Sequence, residues 1–129
     1  MTIDQTRGLI LLVEDDHDIR VTVRQSLEMA QYQVHSAPNG RDALKLLKKH
    51  KPDLIILDMV MPLMDGEEFL RSKNQDENLK DIPVILISAH EDKLKLNEPL
   101  PFLKKPLDLD VILTKVPQII NNKLNPIKA

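Results

Sequence analysis

The sequence predicts an α/β domain built on a doubly wound parallel sheet. Three observations predict it. Short apolar runs without polar alternation, Leu9 to Val13, Leu54 to Leu57 and Val84 to Ile87, suit strands buried on both faces. Segments of helical spacing separate them, so strand and helix alternate along the chain. No internal repeat or low-complexity stretch interrupts that order, and right-handed crossovers then put helices on both faces of the sheet.

The first strand, Leu9 to Val13, ends in Glu14-Asp15-Asp16 and delivers carboxylates at its carboxyl end. From Asp18, the apolar residues Ile19, Val23, Leu27 and Ala30 recur at helical spacing, with Arg20, Arg24 and Glu28 between them. Tyr32 to Ser36 reads as a short strand. Asn39-Gly40 marks a turn, after which Ala43, Leu44, Leu46 and Leu47 form an apolar stripe. Lys45, Lys48 and Lys49 flank that stripe near the helix C-terminus, where cations are favoured. Pro52 separates this helix from the third strand, which carries Asp58 to its own carboxyl end before Met59-Val60-Met61-Pro62 halts it. A helix is expected from Asp65-Gly66 through Phe69 and Leu70 to about Asn74, followed by a polar loop to Asp81. Pro83 to Ile87 is the fourth strand, ending at Ser88-Ala89. The fifth, Leu100 to Lys104, contains Pro101 and suits a sheet edge. Leu109, Ile112, Leu113, Val116, Ile119 and Ile120 keep helical spacing through Pro117, where the missing N–H predicts a kink.

The 129 residues suffice for one core. Residues 1–8 read as an N-terminal tail, 9–123 as the domain and 124–129 as a C-terminal tail. A composition of 42% hydrophobic and 29% charged residues, with a net charge of -2, is that of a globular chain with no basic surface for nucleic acid. One Tyr, two Phe and no Trp leave no platform on which bases stack. The absence of cysteine excludes disulfides and thiolate metal sites. No apolar run is long enough to cross a bilayer, and Met1 to Gly8 lacks the core of a signal peptide, so a cytoplasmic location is expected.

In open α/β sheets ligands bind at the carboxyl ends of the strands. That edge gathers Glu14, Asp15, Asp58, Ser88 and Lys105. Taken singly, each has a plain explanation: an acid or serine where a strand meets water, a lysine on the surface. Together they pose an electrostatic problem, since two carboxylates ~4 Å apart repel by about 4 kcal/mol at an effective dielectric near 20. Mg²⁺ answers it, because it takes oxygen ligands and keeps several waters, so two carboxylates and a backbone carbonyl suffice. Lys105, followed by Pro106 as the chain leaves the sheet, supplies further positive charge. Such a pocket is arranged to hold a phosphoryl group on the carboxylate that projects into it, with partners for the three equatorial oxygens of the transferring group. The hydroxyl of Ser88 is one such partner, and the small Ala89 beside it leaves the approach open.

Leu-Leu-Val-Glu-Asp-Asp at 11–16, Leu-Ile-Ile-Leu-Asp-Met-Val-Met-Pro at 54–62, Asp65-Gly66, Ile-Ser-Ala at 87–89 and Phe-Leu-Lys-Lys-Pro at 102–106 resemble the receiver domain of two-component response regulators. The likeness runs from about Gly8 to Lys123 and is nearest to single-domain, chemotaxis-type regulators. It implies a flavodoxin-like sheet in the order 2-1-3-4-5, with Asp58 as phospho-acceptor. It also implies Asp15 as a direct Mg²⁺ ligand, Glu14 as a ligand acting mainly through water, and the Val60 backbone carbonyl as a further ligand. Ser88 and Lys105 would bind the phosphoryl oxygens, and Phe102 resembles the aromatic switch residue. Asp16, a third acid, is assigned to the helix N-terminus. The resemblance implies a histidine kinase or histidine phosphotransfer protein as donor, in a two-component system or phosphorelay, and a downstream protein as target. It does not imply a turnover enzyme. His17, His35, His50 and His90 show no metal-ligand spacing.

Two other functions are compatible with the pattern: a receiver-like binding module that is never phosphorylated, and a hydrolase with Asp58 as nucleophile. The hydrolase lacks the second acid two residues on that haloacid-dehalogenase-like phosphatases use, since that position is Val60. The chain departs from receivers between Ser88 and Phe102, where only residues 89–101 are available and Pro99 and Pro101 bar a helix interior. The helix before the last strand is therefore expected to be shortened or missing, near Asp92 to Asn97, and the protein to be a monomer.

Overall fold

A computed structural model describes residues 6–61, 64–88 and 100–124. Its elements run β1 (Leu9–Val13), α1 (His17–Met29), β2 (Gln33–Ala37), α2 (Gly40–Lys49), β3 (Leu54–Asp58), α3 (Gly66–Asn74), β4 (Val84–Ser88), β5 (Phe102–Lys104) and α4 (Leu109–Leu124). All strand pairs are parallel, and the sheet order is β2-β1-β3-β4-β5. The expected shortened or missing helix before β5 falls in residues 89–99, outside the described residues.

The period-two geometry of a strand divides the apolar runs between two cores. Leu11, Val13, Ile55, Leu57, Val84 and Leu86 face one side with Ala43 and Leu47 of α2 and Phe69 and Leu70 of α3. Ile10, Leu12, Leu54, Ile56, Ile85 and Ile87 face the other with Val23 and Leu27 of α1 and Ile112, Val116 and Ile120 of α4. β3 and β4 lie in the middle and are buried throughout. Each apolar side chain so placed contributes about 1.5–3 kcal/mol, and this rigid centre allows a carboxylate to be held at the buried end of β3.

Local signals set the helix starts. Asp16, Asn39 and Asp65 are N-caps whose side chains accept from Ile19 N, Asp42 N and Glu68 N at 2.9, 2.8 and 2.9 Å. The assignment of Asp16 to a helix terminus is thus what the structure holds. Lys48 and Lys49 sit in the last turn of α2.

Several boundaries differ from those read in the sequence. β2 begins one residue later, because the Tyr32 amide donates to Leu27 O at 3.1 Å rather than to the ladder. β5 starts at Phe102, not Leu100: Pro101 has no N–H for the ladder, although its carbonyl accepts from Leu86 N at 2.8 Å. The stretch before Asp81, expected as polar loop, contains Leu79, which with the following Ile82 enters the core at 6% and 2% exposure. α4 continues through Pro117 to Leu124. Arg7 and Gly8, placed in the tail by sequence, join the sheet edge, Arg7 N donating to Gln31 O and Gly8 O accepting from Gln33 N.

Candidate functional site

Three strand ends and one loop build the pocket. Hydrophobic burial drives β1 and β3 side by side, with Val13 opposite Leu57, so Glu14 and Asp58 emerge as neighbours. Both are buried, at 0% and 2% exposure, whereas Asp15 is exposed. One carboxylate oxygen from each of Glu14, Asp15 and Asp58 lies within 4.8 Å of the others. β4 and β5 bring Ser88 and Lys105 to the same edge: Ser88 is 3% exposed, pairs with Lys104, and accepts from Lys105 N at 3.0 Å through its carbonyl.

Lys105 reaches back across the sheet, its Nζ 3.2 Å from Asp58 Oδ2 and 3.3 Å from Glu14 Oε1. The contact with Asp58 is a hydrogen bond. That with Glu14 is an ion pair whose geometry does not make one, and Glu14 Oε1 has no hydrogen-bond partner among the described residues. The remaining oxygens are held by backbone: Glu14 Oε2 accepts from Asp16 N at 3.0 Å, and Asp58 Oδ1 from Val60 N at 3.1 Å. The Lys105-Pro106 peptide is cis.

Burial raises the Glu14 carboxyl to about 7, helped by its neighbour Asp58 and opposed by the Asp16 amide and Lys105. For Lys105, burial lowers the ammonium pKa, but the charges of Asp58 and Glu14 and the hydrogen bond to Asp58 outweigh it, and the net shift is upward. Among the described residues, the three carboxylates of the pocket outnumber the one ammonium, that of Lys105, which meets them. An orphaned, buried carboxylate oxygen beside two further carboxylates suits a hard divalent cation.

The close approach of α3 shapes the floor. Gly66 N donates to Met59 O at 3.1 Å, and a Cβ on Gly66 would lie 2.6 Å from Met59 Sδ and 2.7 Å from Met59 Cα. Only glycine fits against the backbone that follows Asp58. The side chain of Val60 is exposed, and Phe102 is half-buried against the core that contains Leu86.

All the residues expected at the strand ends are thus at one edge. Two participants were not identified from sequence: the Asp16 amide, which binds Glu14, and Arg20, whose guanidinium Nη1 donates to the Glu14 carbonyl at 2.8 Å. The signal for Arg20 was its place one turn beyond the acids at the start of α1.

A parallel sheet in the order 2-1-3-4-5 with three acids, a serine and a lysine at its carboxyl edge defines the receiver class. The chain belongs to this family: residues 10–117 match the response regulator receiver domain. It is 36% identical over 122 residues to the sporulation initiation phosphotransferase F of Bacillus subtilis, covering 90% of this chain and 96% of that protein. It is 33% identical over 126 residues to the sensor histidine kinase TmoS of Ectopseudomonas mendocina, covering 94% of this chain but spanning only 13% of the kinase. Among solved structures, the chemotaxis response regulator CheY4 of Vibrio cholerae superposes with a TM-score of 0.81 at 28% identity, over 88% of this chain and 99% of that one. Among the described residues no helix is long and apolar enough to cross a membrane.

Proposed function

We propose that the protein takes a phosphoryl group onto Asp58 from the phosphohistidine of a kinase or phosphotransfer protein, with Mg²⁺ in the pocket, and signals through a protein contact. The observation that carries this reading is the cluster of Glu14, Asp15 and Asp58 within 4.8 Å, with Lys105 3.2 Å from the acceptor. A carboxylate oxygen of Asp58 forms the new bond to phosphorus as the bond to the donor nitrogen breaks, and the electron pair leaves with the imidazole. Glu14, Asp15, Asp58 and the Val60 carbonyl would hold Mg²⁺, which when bound neutralises charge on the phosphoryl oxygens. Lys105 and the Ser88 hydroxyl meet the other oxygens. Phe102, on the strand beside Ser88, is the residue suited to register the change. The protein is not a turnover enzyme on this reading: it promotes only its own phosphorylation and dephosphorylation, acts in the cytoplasm and stays monomeric. Incubation with acetyl phosphate and Mg²⁺ separates the alternatives. A stable modified protein supports the reading, no modification supports a binding module, and rapid turnover supports a hydrolase.

The raised Glu14 pKa gives a pH signature. Folded Glu14 keeps its proton up to about 7, while in the unfolded chain it is lost near 4.5. The folded state therefore binds the extra proton between those values, and metal-free stability should fall as pH rises through that window. Mg²⁺ binds the ionised carboxylate, so its stabilisation should grow in the same direction. Thermal melts in EDTA and in Mg²⁺ at several pH values read both trends, with Glu14→Gln as the control that removes the Glu14 contribution. A slope unchanged in that variant would assign the effect to other groups.

A further inference from the structure

We propose that Arg20 is a positioning residue for the metal-binding loop: its guanidinium fixes the backbone carrying Glu14 and Asp15 and so sets the pocket's affinity for a divalent cation. The inference rests on the reading of that pocket as a Mg²⁺ site. Arg20 stands in the first turn of α1, where its own amide donates to Asp16 O at 2.9 Å. From there its side chain folds back over the loop. Nη1 donates to Glu14 O at 2.8 Å and to Asp15 O at 3.4 Å, and Nη2 lies 3.4 Å from His17 Nδ1. One rigid planar fork thus ties together the residues that join β1 to α1, through charge-assisted bonds to two successive carbonyls.

The loop's amides are held separately. Glu14 N donates to Ala37 O at 3.1 Å, Asp16 N to Glu14 Oε2 at 3.0 Å, and Ile19 N to Asp16 Oδ1 at 2.9 Å. These bonds anchor Glu14 through both its amide and its carboxylate. Asp15 is different: it is exposed, and its place in the acidic cluster depends on the path of the loop. The Arg20 fork grips that path on the carbonyl side, immediately before and at Asp15. Metal affinity depends on such outer contacts, because a ligand that wanders must be ordered when the ion binds.

Charge and geometry make opposite forecasts for this residue, which separates them. A guanidinium beside the pocket repels a cation, so on charge alone its removal tightens binding. As a positioning residue its removal weakens binding. Calorimetric titration of Mg²⁺ into metal-free wild type, Arg20→Met and Arg20→Lys tests this directly. Arg20→Met removes both charge and fork, and Arg20→Lys keeps the charge alone. Both variants are expected to bind Mg²⁺ about tenfold more weakly, beyond any change in melting temperature in EDTA. Tighter binding by Arg20→Met, or wild-type affinity in folded variants that merely melt lower, would overturn the proposal. Should Arg20→Met not fold, Arg20→Lys carries the same test. Wild type that binds no Mg²⁺ contradicts the pocket reading and this inference with it. Wild-type binding matched by the variants contradicts this inference alone.

Discussion

Asp58→Asn is expected to abolish phosphoryl uptake while leaving the fold intact. The amide is nearly the same size as the carboxylate, so the packing of β3 between β1 and β4 is undisturbed. Its oxygen still accepts from Val60 N in the place of Oδ1. What it loses is the anionic oxygen that would attack phosphorus, now 3.2 Å from the Lys105 ammonium. An amide is a far poorer nucleophile, and the other acids do not replace it: Glu14 is shut in at 0% exposure, and Asp15 lies on the loop. Intact-mass measurement after acetyl phosphate and Mg²⁺ should show one added group on wild type and none on the variant. Equal labelling of the variant would move the acceptor elsewhere.

The second large effect is on stability. Lys105→Met keeps the length and apolar stem of the side chain but removes the ammonium between two buried carboxylates. Breaking one side of a buried ion pair costs about 3–5 kcal/mol, and with the Lys105 side chain 26% exposed we expect about 2–3 kcal/mol in EDTA at pH 8. The loss should shrink towards pH 5.5, where Glu14, raised to about 7, takes a proton and relieves the repulsion. Saturating Mg²⁺ should recover part of it at pH 8. Urea denaturation at the two pH values, with and without Mg²⁺, measures this. A loss independent of both pH and metal would mean that Lys105 acts through packing, not through charge.

The strand-end acids were legible because each follows an apolar run that has only one place to go. Leu9 to Val13 and Leu54 to Leu57 must enter a sheet interior, and whatever follows them must lie at its edge. Helix caps were partly legible for the same local reason: Asp65 accepts from an amide three residues on, as a helix start requires. Contacts set by chain paths far apart in sequence were not. Leu79 sits in a polar stretch with no periodicity and Ile82 just beyond it, and both are buried in the core that holds Phe69, Leu70, Val84 and Leu86. Gly66 read only as the start of a helix, whereas its missing Cβ also admits the backbone of Met59. Lys105 was expected to offset the acids. That it meets both Glu14 and Asp58, leaving one Glu14 oxygen unbonded, depends on distances no pattern encodes.

The most direct test of the account is to trap the modified residue chemically. Protein treated with acetyl phosphate and Mg²⁺, then reduced with borohydride, converts an aspartyl phosphate to homoserine, which peptide mass spectrometry locates. The account predicts homoserine at position 58 alone, and none when EDTA replaces Mg²⁺. Homoserine at another acid, or at position 58 regardless of metal, would contradict it.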